Sequence, residues 1–176
     1  MKGQLSADFF ISLTLFILLT SYFLVRVLDI MPSFLHEEKM QSLRGTAYAI
    51  SELLINDAGE PVNWQKLEPN QIKRIGLMDE EENLTNLISK DKIDRLNAIC
   101  NSPNNTVGYP KIKELLGIDE DVNVTIVIKN LNTDSDIASC WPPSLRLSRI
   151  VNISRVVSYK EDSELIPAEV LIMVGE

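Results

Sequence analysis

The sequence predicts an α+β fold in which one long amino-terminal helix leads through short helices to a small antiparallel β-sheet. Three observations carry that expectation. Phe9 to Val25 runs without a charge, a Pro or a Gly. From Ser33 onward Met40, Leu43, Ala47, Ile50 and Leu54 recur at steps of three and four, the spacing of one helix face. After Val122 the apolar residues change to a period of two, the spacing of a strand with one buried face.

The apolar run comes first. At about 1.5 Å per helical residue it reaches about 25 Å, close to a bilayer core of about 30 Å. Val27 and Leu28 extend it, because the long stem of Arg26 can hold its charge at the interface. The hydroxyls of Ser12, Thr14, Thr20 and Ser21 can return to carbonyls of the preceding turn, so they do not oppose a helix in lipid. The alternative, a buried helix of a soluble protein, would normally show a polar stripe, and this one shows none. The segment 4–31 is expected to span the membrane, and 32–176 to form an extracytoplasmic head. Pro32 is a place where the helix can bend. Beyond it, His36, Glu37, Glu38, Lys39, Gln41 and Arg44 supply the polar face of the amphipathic half. Asn56-Asp-Ala-Gly-Glu-Pro61 is a stop.

Within the head, Trp64 is expected at the edge of the core, and Pro69 to Ile75 reads as a short helix ended by Gly76. Asp79 to Glu82 reads as a solvated acidic loop. Ser89 is placed to cap a helix from Lys90 to Ile99, and Asn101-Ser-Pro-Asn-Asn is a turn cluster. Residues 122–129, 149–159 and 168–174 read as three strands of an antiparallel meander with one face on the helix. Trp141-Pro142-Pro143 reads as a rigid packing turn.

Charge and composition narrow the function. Lys2 and Arg26 cancel Asp8 and Asp29, so the whole net charge of −8 falls on residues 32–176. An acidic head argues against nucleic acid and against docking on anionic lipid through a basic patch. Two cysteines, Cys100 and Cys140, can close a disulfide; two buried free thiols are the other reading. Closing that loop of about 40 residues would stabilise the fold by about 4 kcal/mol in the chain-entropy account. Asn83, Asn104, Asn123 and Asn152 each open an Asn-x-Ser/Thr glycosylation sequon; Asn83 and Asn104, in expected loops, are better candidates than Asn123 and Asn152, in expected strands. Asn130 to Asp136 sets oxygens at alternate positions as calcium loops do. Ser135 and Trp141 stand where an EF-hand needs Gly and an acid, which leaves only an irregular calcium site open. No phosphate-cradling Gly loop, nucleophile elbow or metal-spaced His cluster occurs, and His36 is the one imidazole. Neither an enzyme nor a cofactor is expected.

The residues before the apolar run are the most specific. A secretory signal would carry a small-x-small cleavage site after its apolar stretch, and Arg26-Val-Leu-Asp-Ile-Met-Pro-Ser offers none. Lys2-Gly3-Gln4-Leu5-Ser6-Ala7-Asp8 instead resembles the leader junction of archaeal type IV pilin-like proteins, which carry a class III signal peptide. The resemblance implies that a prepilin-type membrane peptidase removes residues 1–3 on the cytoplasmic side, cutting between Gly3 and Gln4. Ser6 and Asp8 match the family's polar positions; Asp8 stands where Glu is commoner, and Ser12 where Leu is, with Leu13 one place late. Pro61-Val-Asn-Trp64, Gly76-Leu77, Ser89 to Leu96 and Tyr109 to Gly117 follow in the order seen in such chains. The implied fold is pilin-like, the helix serving as the spine of the head.

Asp8 has two readings. As a helix-start carboxylate it meets the positive end of the dipole, worth about 0.3–1 kcal/mol. In a filament it would pair with the free amine of a neighbouring subunit. The expected function is a structural subunit, major or minor, of a surface filament, with the membrane, the peptidase and other pilin-like subunits as partners. The alternatives are a non-polymerising, membrane-anchored binding or interaction domain and, third, a secreted enzyme released after signal cleavage. Lys2 and the initial amine favour a cytoplasmic amino terminus.

Overall fold

The computed structural model describes residues 7–80, 84–102, 108–143 and 149–176. The fold is α+β, with one long amino-terminal helix and a five-stranded mixed sheet. Contacts divide the chain into two compact units, Met1–Gln41 and Ser42–Glu176. The expected boundary at 31/32 rests on hydropathy; this one rests on packing.

Helix α1 runs from Ala7 to Asn56 and continues through Pro32. In the first unit its stretch from Phe9 to Val25 carries no charge and is exposed on every side. Its last turns, in the second unit, bury Leu43, Ala47, Ile50, Leu54 and Ile55, the stripe that the three-and-four spacing predicts. The end of α1 is closed by the chain that follows it. Leu77 N–H donates to Leu54 O at 2.7 Å, satisfying a carbonyl with no partner in the helix, and Met78 N–H donates to Asp57 O at 3.1 Å. This approach requires a glycine at position 76, since a Cβ there would run into the Asp57 carbonyl and lie 2.7 Å from Gly59 N.

Trp64 lies inside this corner. It is 0 % exposed rather than at the core edge, and its indole Nε1–H donates to Gly76 O at 2.8 Å. Gly59 adopts a φ of +87°, and a side chain there would strike the indole. The helix expected from Pro69 to Ile75 is reduced to one short helical turn, Pro69–Gln71. Residue 74 is drawn instead into extended pairing with residue 60, Glu60 N–H donating to Arg74 O at 2.9 Å and Arg74 N–H to Glu60 O at 3.2 Å.

Strand β1, Leu87–Ile88, is followed by α2, Lys90–Cys100, and α3, Tyr109–Leu116. Ser89 occupies the N-cap of α2 but its hydroxyl makes no capping bond. Gly117 ends α3 in the left-handed conformation at φ 66°. Then come β2, Asn123–Asn130; β3, Ser135–Cys140; β4, Ile150–Glu161; and β5, Glu164–Gly175.

The sheet corrects the expected three-stranded meander. Its order is β1-β4-β5-β2-β3, and β1 pairs parallel with β4. The last strand of the chain sits in the middle, between β4 and β2, because β5 is mostly apolar on both faces and gains most from two neighbours. Val124, Ile126 and Ile128 of β2, Val170, Ile172 and Val174 of β5, and Val151 and Val157 of β4 share the inner face and are buried. Arg155, on that face, reaches α1: its Nη2 donates to Glu52 Oε1 at 2.7 Å and its guanidinium lies 5.0 Å from the ring centre of Tyr48.

Candidate membrane and assembly interface

Every residue from Phe9 to Pro32 is exposed. Phe9, Phe10, Phe16, Phe23 and Leu24 turn outward in different directions around the helix, so no single face accounts for the apolar surface. Among the described residues this is the one helix long and apolar enough to cross a membrane, judged by length and composition. A surface of this size left in water would drive association, so it belongs in lipid or against other helices.

Of the four hydroxyls expected to return to the helix backbone, those of Thr14 and Thr20 do so, and Ser12 and Ser21 make no such bond among the described residues. Thr14 Oγ1 donates to Phe10 O at 2.7 Å, and Thr20 Oγ1 to Phe16 O at 2.8 Å. Both hydroxyls thus return to the preceding turn and offer little to a solvent. Arg26 lies along the helix, its Nε donating to Tyr22 Oη at 3.2 Å and its guanidinium 5.4 Å from the Tyr22 ring centre. Tyr22 and Arg26 are the type of pair found where an apolar segment meets an interface, with the aromatic ring sheltering the cation.

Gly3, Gln4 and Ser6, the residues of the expected processing junction, lie outside the described residues, and Asp8 is in the first turn of α1. Of the sequons, Asn83 and Asn104 also lie outside the described residues. Asn123 opens β2 and is half-buried; Asn152 stands exposed on β4. Cys100, at the end of α2, and Cys140, at the end of β3, are joined in a disulfide with a Cα–Cα distance of 5.3 Å.

The segment read as an irregular calcium loop is the turn of the β2–β3 hairpin. Asn130 Oδ1 accepts from Asn132 N–H at 2.8 Å and Thr133 N–H at 3.1 Å, and Asn130 Nδ2 donates to Tyr159 Oη at 2.9 Å. The Asn130 side chain is thus committed to the turn. Asp134 pairs with Lys129 at 2.7 Å, and this hydrogen bond to the carboxylate holds the Lys129 ammonium above its ordinary range. Among the described residues no group of three or more His, Cys, Asp or Glu is placed to hold a metal ion.

One buried cation had no signal in the sequence. Lys92 is 4 % exposed, and its Nζ donates to Ala58 O at 2.8 Å and Met78 O at 2.9 Å. Burial lowers its pKa, and the carboxylates of Glu80, Asp79 and Asp57 oppose that shift. It ties α2 to the chain just past the end of α1.

Comparison of the chain with known protein families, with curated proteins and with solved structures finds no match.

Proposed function

We propose that the chain is a pilin-like subunit, major or minor, of an archaeal type IV pilus-like surface filament. The observation that carries this reading is the continuity of one helix. In the sequence the junction Gly3-Gln4-Leu5-Ser6-Ala7-Asp8 runs directly into the apolar stretch of α1, which is left exposed among the described residues. The same helix ends as a buried element of an acidic head.

In this reading a prepilin-type peptidase cuts after Gly3 on the cytoplasmic side and leaves Gln4 as the new amino terminus. The apolar helices of several subunits then exchange lipid for one another. Lipid tails are as apolar as Leu, so packing and interhelical polar contacts, more than a hydrophobic gain, select the bundle. The heads are carried outside the membrane, where a disulfide persists.

Gly3→Leu tests the proposal. The bulky residue at the cleavage position is expected to leave the chain unprocessed and retained in the membrane, with no filament in the sheared surface fraction. A variant that remains indistinguishable from wild type in mass shift and surface material would point to a non-polymerising anchored domain.

A further inference from the structure

The two edges of the sheet are finished differently. On the β3 side, α2 closes the edge. Asn97 Oδ1 accepts from Ser139 N–H at 3.2 Å, Asn101 Nδ2 donates to Ser139 O at 3.2 Å, and the Cys100–Cys140 bond fixes the helix there. On the other side, β1 covers only Ser158 and Tyr159 of the twelve-residue β4. The eight residues from Ile150 to Val157 have no strand beyond them among the described residues.

The direction of their backbone groups follows from the register. Arg149 and Glu176 exchange both backbone hydrogen bonds, so odd-numbered residues of β4 face β5. Ser158 N–H points the other way, donating to Asn86 O at 2.9 Å. Ile150, Asn152, Ser154 and Val156 therefore direct N–H and C=O groups out of the sheet. A cavity of about 210 Å³, lined in part by Glu52, Asn56, Ser154 and Val156, separates this edge from α1.

An open edge of this kind recruits strands from other molecules unless it is short, charged, interrupted by Pro or covered. The open stretch is not short and holds no Pro, and its one charge, on Arg155, points inward, a single safeguard over eight residues. The outward side chains are Ile150, Asn152, Ser154 and Val156, with Ile150 50 % and Val156 68 % exposed. The charge of Arg155 is turned inward to Glu52. In the centre of the edge stands Asn152-Ile153-Ser154, a sequon whose asparagine is exposed and whose carboxamide makes no hydrogen bond with any described residue. Its nearest partner across the strands, on the same outer face, is Met173.

We propose that Asn152 carries an N-linked glycan and that this glycan is the cover of the β4 edge. The donor is a lipid-linked, phosphate-activated oligosaccharide. The Asn152 amide nitrogen forms a bond to the anomeric carbon, the bond from that carbon to the phosphate oxygen breaks, the amide releases one proton, and the lipid phosphate departs. Nothing is oxidised or reduced. The glycan rises from the outer face between Ile150 and Val156, hindering a second strand from reaching the four outward-facing residues. The inference rests on the extracytoplasmic placement of the head proposed above.

The experiment uses the full chain extracted from native membranes. Trypsin releases Ile150–Arg155, which contains one asparagine. This peptide is expected to carry the mass of a glycan in wild type and in Ser154→Thr, and to be bare in Asn152→Gln and Ser154→Ala. Detergent-solubilised subunits of the two bare variants are expected to show a several-fold larger share of dimers and higher species, while Ser154→Thr matches wild type. Association through the apolar helices is common to all four proteins and cancels. A bare Ile150–Arg155 peptide in wild type overturns the inference; so does a glycosylated peptide whose removal leaves the oligomer distribution unchanged. The amino-terminal peptide of the same sample reports separately on the filament reading. If it begins at Gln4 while Asn152 is bare, the edge inference fails alone. If it is unprocessed and Asn152 is also bare, the filament reading fails with it.

Discussion

At Lys92 an ammonium group is enclosed between two backbone carbonyls, Ala58 O and Met78 O, that lie 34 and 14 residues away in sequence. Nothing in Ser89-Lys-Asp-Lys-Ile-Asp-Arg-Leu96 sets this lysine apart from Lys90, which is only half-buried and pairs with Asp94. The difference arises only when the chain after α1 is folded over α2. Burial holds the Lys92 pKa below the ordinary lysine range, so in the alkaline window between the folded and unfolded values the unfolded chain binds more protons. Stability contributed at this position therefore rises with pH across that window. The unfolding free energy of wild type in detergent, relative to Lys92→Met and followed by tryptophan fluorescence, is expected to increase as the solution is taken from neutral to strongly alkaline pH. A difference that stays flat or falls would contradict the assigned burial. Gly76 was equally hidden as to purpose. It reads as a helix terminator, and it is in fact the residue that lets the chain pass against the Asp57 carbonyl.

Elements were legible where they are long and periodic. The amphipathic part of α1 follows from Leu43, Ala47, Ile50 and Leu54, and α2, expected from Lys90 to Ile99, runs from Lys90 to Cys100. Two strands were not. β1 has two residues, too few for any period, and exists because Asn86 meets the β4 edge. β3 is Ser-Asp-Ile-Ala-Ser-Cys, poor in strand-forming residues, and is held by its partner β2 and by α2. The oxygens of Asn130 to Asp136 looked like ligands because turn and calcium loops draw on the same residue types. The disulfide also belongs to this scale. The sequence supplies two cysteines, and the packing of α2 on β3 brings their Cα atoms to 5.3 Å. Replacing both by Ser is expected to lower stability by about 2–4 kcal/mol in chemical denaturation. The Asn97 and Asn101 bonds to Ser139 would still hold α2 in place, so the folded far-ultraviolet circular dichroism should be unchanged. A loss of helix signal in the native state would show that the amides cannot hold that edge alone.

For the whole molecule, the central feature is a single helix that changes solvent along its length. From Phe9 to Val25 it is exposed and uncharged on all sides, and from Leu43 to Ile55 one stripe of it is buried in a folded head. Both halves were visible in the sequence because hydrophobic periodicity is a local property. The strand order β1-β4-β5-β2-β3 was not, because it depends on pairings between distant segments. The filament proposal rests on the short junction before the apolar stretch, since an anchor that never polymerises has no need of a processed amino terminus. Amino-terminal sequencing with intact mass, on protein taken from native membranes, tests it most directly. The account predicts a chain that begins at Gln4. A chain that begins at Met1 or Lys2 would contradict it.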